Sequence, residues 1–177
     1  MQKILLAGFG GQGIMLMGEL LAYSAMLTGK QVTYMPSYGP EMRGGTANCS
    51  VVISDEPISS PIVTDPAILV AMNEPSLVKF ENSVRPAGVV FVNRSLISKE
   101  PERGDIEYVL VDCTGIAQGI ANARLSNIVM LGAVISKTGL IALDTVYAAM
   151  DKKFTGEKAK FIPANRKALC AWEAGVN

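Results

Sequence analysis

Residues 3–29 read KILLAGFGGQGIMLMGELLAYSAMLTG, and this stretch decides the fold. Lys3 to Ala7 is a short apolar run of strand character. It passes into a glycine cluster, Gly8 to Gly13, that contains G-x-G-x-x-G at Gly8, Gly10 and Gly13, with Gly11 and Gln12 between them. From Ile14 to Leu27 the residues Ile14, Met17, Leu21 and Ala25 recur at helical spacing, and Gly29 ends the pattern. A strand, a glycine turn and a helix in this order open a crossover unit of an α/β fold. The helix is apolar nearly all round, Glu19 and Ser24 being the main exceptions, which predicts burial on two sides.

Working outward, Gln31–Met35 and Ala47–Ser54 read as strands, as do Ile68–Met72, Val89–Val92 and Tyr108–Val111. The last three are continuous apolar runs of the kind found in sheets covered on both faces. A short helix spans Glu74 to Ser83 and stops before Pro86. After Gly115 the pattern is helical, over Gly115–Ala123, Asn127–Lys137, Asp144–Phe154 and Pro163–Ala174. The expected fold is α/β, a Rossmann-like three-layer sandwich with a mostly parallel sheet, forming one domain over residues 1–177.

Composition removes several functions. Apolar residues make up 49% of the 177 positions and charged ones 18%, against about 25% charged in an average protein. That excludes disorder and predicts apolar surface covered by another chain. Lys plus Arg and Asp plus Glu are 16 each, so no basic excess marks a nucleic-acid binder. There is no histidine, which excludes imidazole bases and histidine-bound metals within the chain. Cys49, Cys113 and Cys170 are scattered and form no C-x-x-C, so they build neither an iron–sulfur cluster, a zinc ribbon nor a disulfide framework. A reduced, cytoplasmic setting is expected. No apolar run approaches the length of a membrane span, and the apolar amino terminus lacks a cleavage-type site.

The glycine cluster carries two readings. Backbone N–H groups at a helix start attract anions, so the loop is a candidate phosphate cradle. Dinucleotide binding also requires an acid near the end of the second strand, and Thr33 to Ser37 supplies none. The other reading is a tight strand–helix crossover packed against a partner. Between the second and third strands lies PSYGPEMRGGTANC, residues 36–49. Loops that follow parallel strands sit at the carboxyl rim of the sheet, so this segment and the glycine loop are expected to share a crevice. Arg43, followed by Gly44 and Gly45, is a candidate clamp for phosphate or carboxylate. Glu41 either orients that guanidinium or serves as a desolvated base, and Tyr38 adds an aromatic.

The opening ILLAGFGGQG, the segment SYGPEMRGGTANCSVVIS and the later NIVMLGA together resemble the gamma subunit of the 2-oxoacid:ferredoxin oxidoreductases (the pyruvate/ketoisovalerate oxidoreductase gamma family). The form of the second motif is closer to the 2-oxoglutarate and 2-ketoisovalerate enzymes than to the pyruvate ones. The resemblance implies an accessory subunit, inactive alone, of a complex that converts a 2-oxoacid, CoA and oxidised ferredoxin to acyl-CoA, carbon dioxide and reduced ferredoxin. It places thiamine diphosphate and Mg2+ on alpha and beta partners, and iron–sulfur clusters on beta, delta or ferredoxin-like partners. CoA is then a candidate shared ligand, with Gly8, Gly10, Gly11, Gln12, Gly13, Tyr38, Glu41, Arg43, Gly44 and Gly45 along its crevice, and the equal alternative is that both motifs build the interface with the alpha chain. The rival expectation is a stand-alone CoA- or nucleotide-binding module with a regulatory or carrier role.

Other residues carry weaker signals. Arg124, beside Asn122 and Asn127, is a second candidate anion ligand, ranked behind Arg43. Thr114 reads as a helix N-cap with Asp112 as its neighbour, and Asn93-Arg94-Ser95 as a turn. Cys49 reads as a small core residue. Lys152, Lys153, Lys158 and Lys160 read as a solvated basic face, with docking of acidic ferredoxin as the alternative.

Overall fold

The computed structural model describes residues 1–37 and 46–174. Tyr38, Glu41, Arg43, Gly44 and Gly45 lie outside the described residues. In chain order the elements are β1 (Gln2–Phe9), α1 (Ile14–Leu27), β2 (Gln31–Ser37), β3 (Thr46–Ser54), β4 (Ile68–Ala71) and α2 (Glu74–Phe80). There follow β5 (Val89–Asn93), β6 (Glu107–Val111), α3 (Cys113–Ile120), α4 (Ser126–Thr138), α5 (Leu143–Lys153) and α6 (Ile162–Ala174). Short 3-10 turns occupy Glu81–Ser83, Ala123–Leu125 and Gly156–Phe161.

The strands form one six-stranded sheet in the order β2-β3-β1-β4-β5-β6. β1, β4, β5 and β6 are parallel neighbours, whereas β3 runs antiparallel to both β1 and β2. The sheet is therefore mixed and mostly parallel, as the strand–helix alternation predicts. β1 is longer than its apolar run, because β3 pairs with it along its whole length, from Gln2 opposite Ile53 to Phe9 opposite Thr46.

Alternation along each strand sends side chains to two layers. Ile4, Leu6, Ile68, Val70 and Phe91 join the larger core, which α1, α3, α4, α5 and α6 close. Leu5, Leu69, Ala71, Val90 and Val92 face the other way and pack against Leu77 of α2, Val84, Ile97 and Ile106. Among the described residues the sandwich is thus lopsided, with five α-helices on one face and one on the other. Each large side chain buried completely, such as Phe91 or Ile4, contributes roughly 1.5–3 kcal/mol.

The expected burial of α1 is observed on the side carrying Ile14, Met17, Leu20, Leu21 and Ala25. Ser24 is also fully buried, and its hydroxyl donates to the carbonyl of Leu20 at 2.6 Å, so its polarity costs no unpaired group. Helix α4 is enclosed from Asn127 to Ile135, which explains why its sequence is apolar all round.

Candidate functional site: the carboxyl rim and its adjoining cavity

Three registers fix the rim. Phe9 lies opposite Thr46, Ala7 opposite Asn48, and Asn48 opposite Ser37. The carboxyl ends of β1 and β2 therefore meet at one edge, joined by the amino end of β3. Parallel pairing of Ala7 with Ala71 and of Ala71 with Val92 continues the same edge to β4 and β5. Ser37 and Thr46, which bound the segment 38–45, both stand on this rim.

The glycine loop begins one residue later than its pattern suggests, since Gly8 and Phe9 still belong to β1. A Cβ at Gly8 would lie 2.7 Å from both Gln12 Oε1 and Ile14 Cδ1, so the strand end needs a bare backbone to admit those side chains. Gly13 is the N-cap of α1 with φ +75°, a left-handed conformation that favours glycine. A Cβ there would also overlap the side-chain amide of Asn127, which donates to the Gly13 carbonyl at 3.1 Å. The third glycine of the motif thus admits a side chain from α4 rather than easing contact between helix and strand.

Among the described residues no side chain caps α1 at its amino end, and no acid stands in its first turn. The first amides of the helix therefore have no side-chain acceptor among the described residues. Gly13 and Leu16, at this end of the helix, line a cavity of about 610 Å³ bounded by the glycine loop, α4, the end of α5 and the start of α6. Arg124 and Lys158 line it, both exposed and neither ion-paired among the described residues. Asn127 and Asn165 line it too and are only 3% and 6% exposed. Their Nδ2 atoms donate to the carbonyls of Gly13 and Phe161, and neither carboxamide oxygen has a donor among the described residues. Phe161, 53% exposed, lines it as well. Cations, open helix amides, acceptor oxygens and an aromatic surface in a volume of this size suit a phosphorylated small molecule.

Of the candidates on the described residues, the structure brings together Gly11, Gly13, Arg124, Asn122 and Asn127. Gln12 points away from the cavity, its carboxamide bonded to Phe9, Asn73 and Met72. Asn165 and Asn73 carry no motif of their own and escape a reading along the chain, and Lys158 stands out there only as part of a basic face. Lys153 is not a free solvated cation, because it is paired with Glu19 of α1.

Elsewhere on the rim, Asp112 rather than Thr114 caps α3. Its Oδ1 accepts from the Gly115 N–H at 3.1 Å and from the Ser95 hydroxyl at 2.5 Å. Asn93 is fully buried and Arg94 pairs with Glu100 at 2.9 Å.

The thiols do not fit a cluster. Cys49 sits in β3 and Cys113 opens α3, both fully buried, and each is pushed up to about 12, by burial first and then by a nearby carboxylate, Glu19 for Cys49 and Asp112 for Cys113. Cys49 Sγ lies 3.7 Å from the Ile14 carbonyl as a core residue. Among the described residues no three His, Cys, Asp or Glu side chains group as metal ligands. No helix among the described residues is long and apolar enough to cross a membrane.

Comparison with known proteins places this architecture. The family profile described as pyruvate ferredoxin/flavodoxin oxidoreductase matches residues 3–171. The ketoisovalerate oxidoreductase subunit VorA of Methanothermobacter thermautotrophicus is 40% identical over 175 residues, covering 98% of this chain and 35% of the relative. The chain therefore spans about a third of the length of that protein. The 2-oxoglutarate synthase subunit KorC of Methanocaldococcus jannaschii is 40% identical over 153 residues, covering 84% of this chain and 81% of KorC. Among solved structures, the keto/oxoacid ferredoxin oxidoreductase gamma subunit from Geobacter sulfurreducens superposes with a TM-score of 0.83 at 29% identity, covering 98% of this chain and 97% of that one. With the glycine loop, the mixed sheet and nearly the full length all matched, the chain belongs to the pyruvate ferredoxin/flavodoxin oxidoreductase family.

Proposed function

We propose that this chain is the gamma subunit of a 2-oxoacid:ferredoxin oxidoreductase, of the ketoisovalerate or 2-oxoglutarate type. The complex converts a 2-oxoacid, CoA and oxidised ferredoxin to acyl-CoA, carbon dioxide and reduced ferredoxin. Alpha and beta subunits, with a delta or ferredoxin-like chain, carry thiamine diphosphate, Mg2+ and the iron–sulfur clusters. The gamma chain contributes one wall of the CoA site and no catalytic group. The relatives' names support the reaction class, and the dispersal of the thiols supports placing the redox centres on other chains.

One observation carries the CoA assignment. The glycine loop opens onto a cavity where the uncapped amino end of α1, Arg124 and Lys158 converge. CoA is rich in phosphate and carries hydroxyl and amide donors for the oxygens of Asn127 and Asn165. Its phosphates lie along the α1 amides and the two cations. Gly10 and Gly11 line the approach, Gly8, Gln12 and Gly13 hold the loop in shape, and Tyr38, Glu41, Arg43, Gly44 and Gly45 remain candidate CoA contacts. Anaerobic co-expression with the alpha and beta chains tests the assignment. A stable complex that oxidises a branched 2-oxoacid or 2-oxoglutarate with CoA is the expected result. An isolated chain that binds CoA as tightly as the complex does, and recruits no partner, would instead establish a stand-alone CoA-binding module.

A further inference from the structure

The carboxamide of Gln12 is held by three hydrogen bonds. Its Oε1 accepts from the Phe9 N–H at 2.7 Å and from Asn73 Nδ2 at 3.2 Å, and its Nε2 donates to the Met72 carbonyl at 3.1 Å. Asn73 is 3% exposed and is also the N-cap of α2, its Oδ1 accepting from the Ser76 N–H at 2.9 Å. The Met72 carbonyl takes a second donor, Nδ2 of the fully buried Asn93, at 3.3 Å.

Three backbone groups terminate the Gln12–Asn73 part of this network, and each acts in one sense only. Phe9 and Ser76 donate; Met72 accepts. Gln12 must therefore offer its oxygen to Phe9 and its nitrogen to Met72. Asn73 must offer its oxygen to Ser76 and so its nitrogen to Gln12. Neither amide can be turned round, or replaced by an acid, without opposing two oxygens. The network also joins the two layers of the sandwich, because α2 covers the face of the sheet opposite α1.

We propose that Asn73 is the positioning residue of the glycine loop: its bond to Gln12 Oε1 ties the loop's conformation to the amino end of α2. Gln12, fastened inward, holds the turn that presents Gly11, Gly13 and the first amides of α1 to the cavity. The tie stands on geometry alone; its effect on CoA rests on the function proposed above.

Asn73→Asp separates the tie from the cap. Aspartate caps a helix as well as asparagine, so Ser76 keeps its acceptor, whereas the second carboxylate oxygen faces Gln12 Oε1 and cannot donate. Backbone amide exchange on the full chain reads the result. In Asn73→Asp the amides of Gly8 to Gly13 exchange at least about tenfold faster than in the parent, while those of Leu77 to Phe80 keep their protection. In Asn73→Ala, which removes both bonds, the two groups loosen together. Loop amides unchanged in Asn73→Asp, or loop and α2 loosening equally in it, would overturn the tie. In the assembled oxidoreductase the same variant raises the CoA Michaelis constant and leaves that for the 2-oxoacid unmoved. A loosened loop with an unmoved CoA constant leaves the tie standing and overturns the CoA assignment.

Discussion

Asn127 donates its side-chain amide to the carbonyl of Gly13 across 114 residues of sequence, and Gly13 must be bare for it to arrive. The bond locks the amino end of α1 to α4 at the wall of the cavity. Gly13→Ala therefore suffers twice, from a Cβ that overlaps Asn127 and from a left-handed backbone at φ +75°. The expected loss is about 2 kcal/mol or more, seen as a fall in Tm of roughly 4–8 °C. A variant as stable as the parent would show that the helix start relaxes freely.

Glu81 is a buried acid, 3% exposed, whose carboxylate is held by Lys99 Nζ at 2.6 Å and by the Tyr108 hydroxyl. Arg103 spans the same corner, donating to the carbonyls of Glu81 and Val84 at 2.8 Å each while pairing with Asp105. These contacts fasten the chain between β5 and β6 over the smaller core. Burial pushes the Glu81 carboxyl up, but the hydrogen bonds from Lys99 and Tyr108 outweigh it and hold the group below its ordinary value. A lowered folded value means that the contribution is complete above the unfolded value, about 4.3, and is lost as pH falls through the folded one. Glu81→Gln should cost about 1–3 kcal/mol at pH 7 and flatten the acid limb of a Tm-versus-pH curve. Parallel curves for parent and variant would contradict this account.

Cys49 and Cys113, raised to about 12, carry almost no thiolate at neutral pH and have no solvent access. A thiol reagent at pH 7.5 should label the half-buried Cys170 first and reach the other two only on unfolding. Labelling mapped by mass spectrometry checks this; rapid native modification of Cys49 would show that β3 opens locally.

Asp112 holds the start of α3 and the turn after β5 together through Gly115 and Ser95. Asp112→Ala removes both, at an expected cost of about 1–2 kcal/mol, and Asp112→Asn keeps most of the cap. Equal Tm values for the two variants would exclude the capping role.

Much of this was legible along the chain where the signal is local. The limits of α1 follow from apolar spacing set between Gly13 and Gly29. The direction of β3 does not, because ANCSVVIS is buried on both faces and looks like any interior strand. The N-cap of α3 was ambiguous because Asp112 and Thr114 both have the chemistry, and only the reach of Oδ1 to Gly115 decides. The cavity was the least visible feature. Arg124 was evident as a cation near asparagines, but Lys158 and Asn165 come from a 3-10 turn and from α6, and only packing of α6 against α4 brings them to the glycine loop. Glu81 resembles any surface acid at a helix end; its burial depends on Lys99, Arg103 and Tyr108, all distant in sequence.

Steady-state kinetics of the assembled oxidoreductase carrying Arg124→Ala with Lys158→Ala bear most directly on the CoA assignment. Loss of two charge-assisted contacts should raise the CoA Michaelis constant by at least about tenfold, with the 2-oxoacid constant and CoA-independent decarboxylation preserved. An unchanged CoA constant in the doubly substituted complex would contradict it.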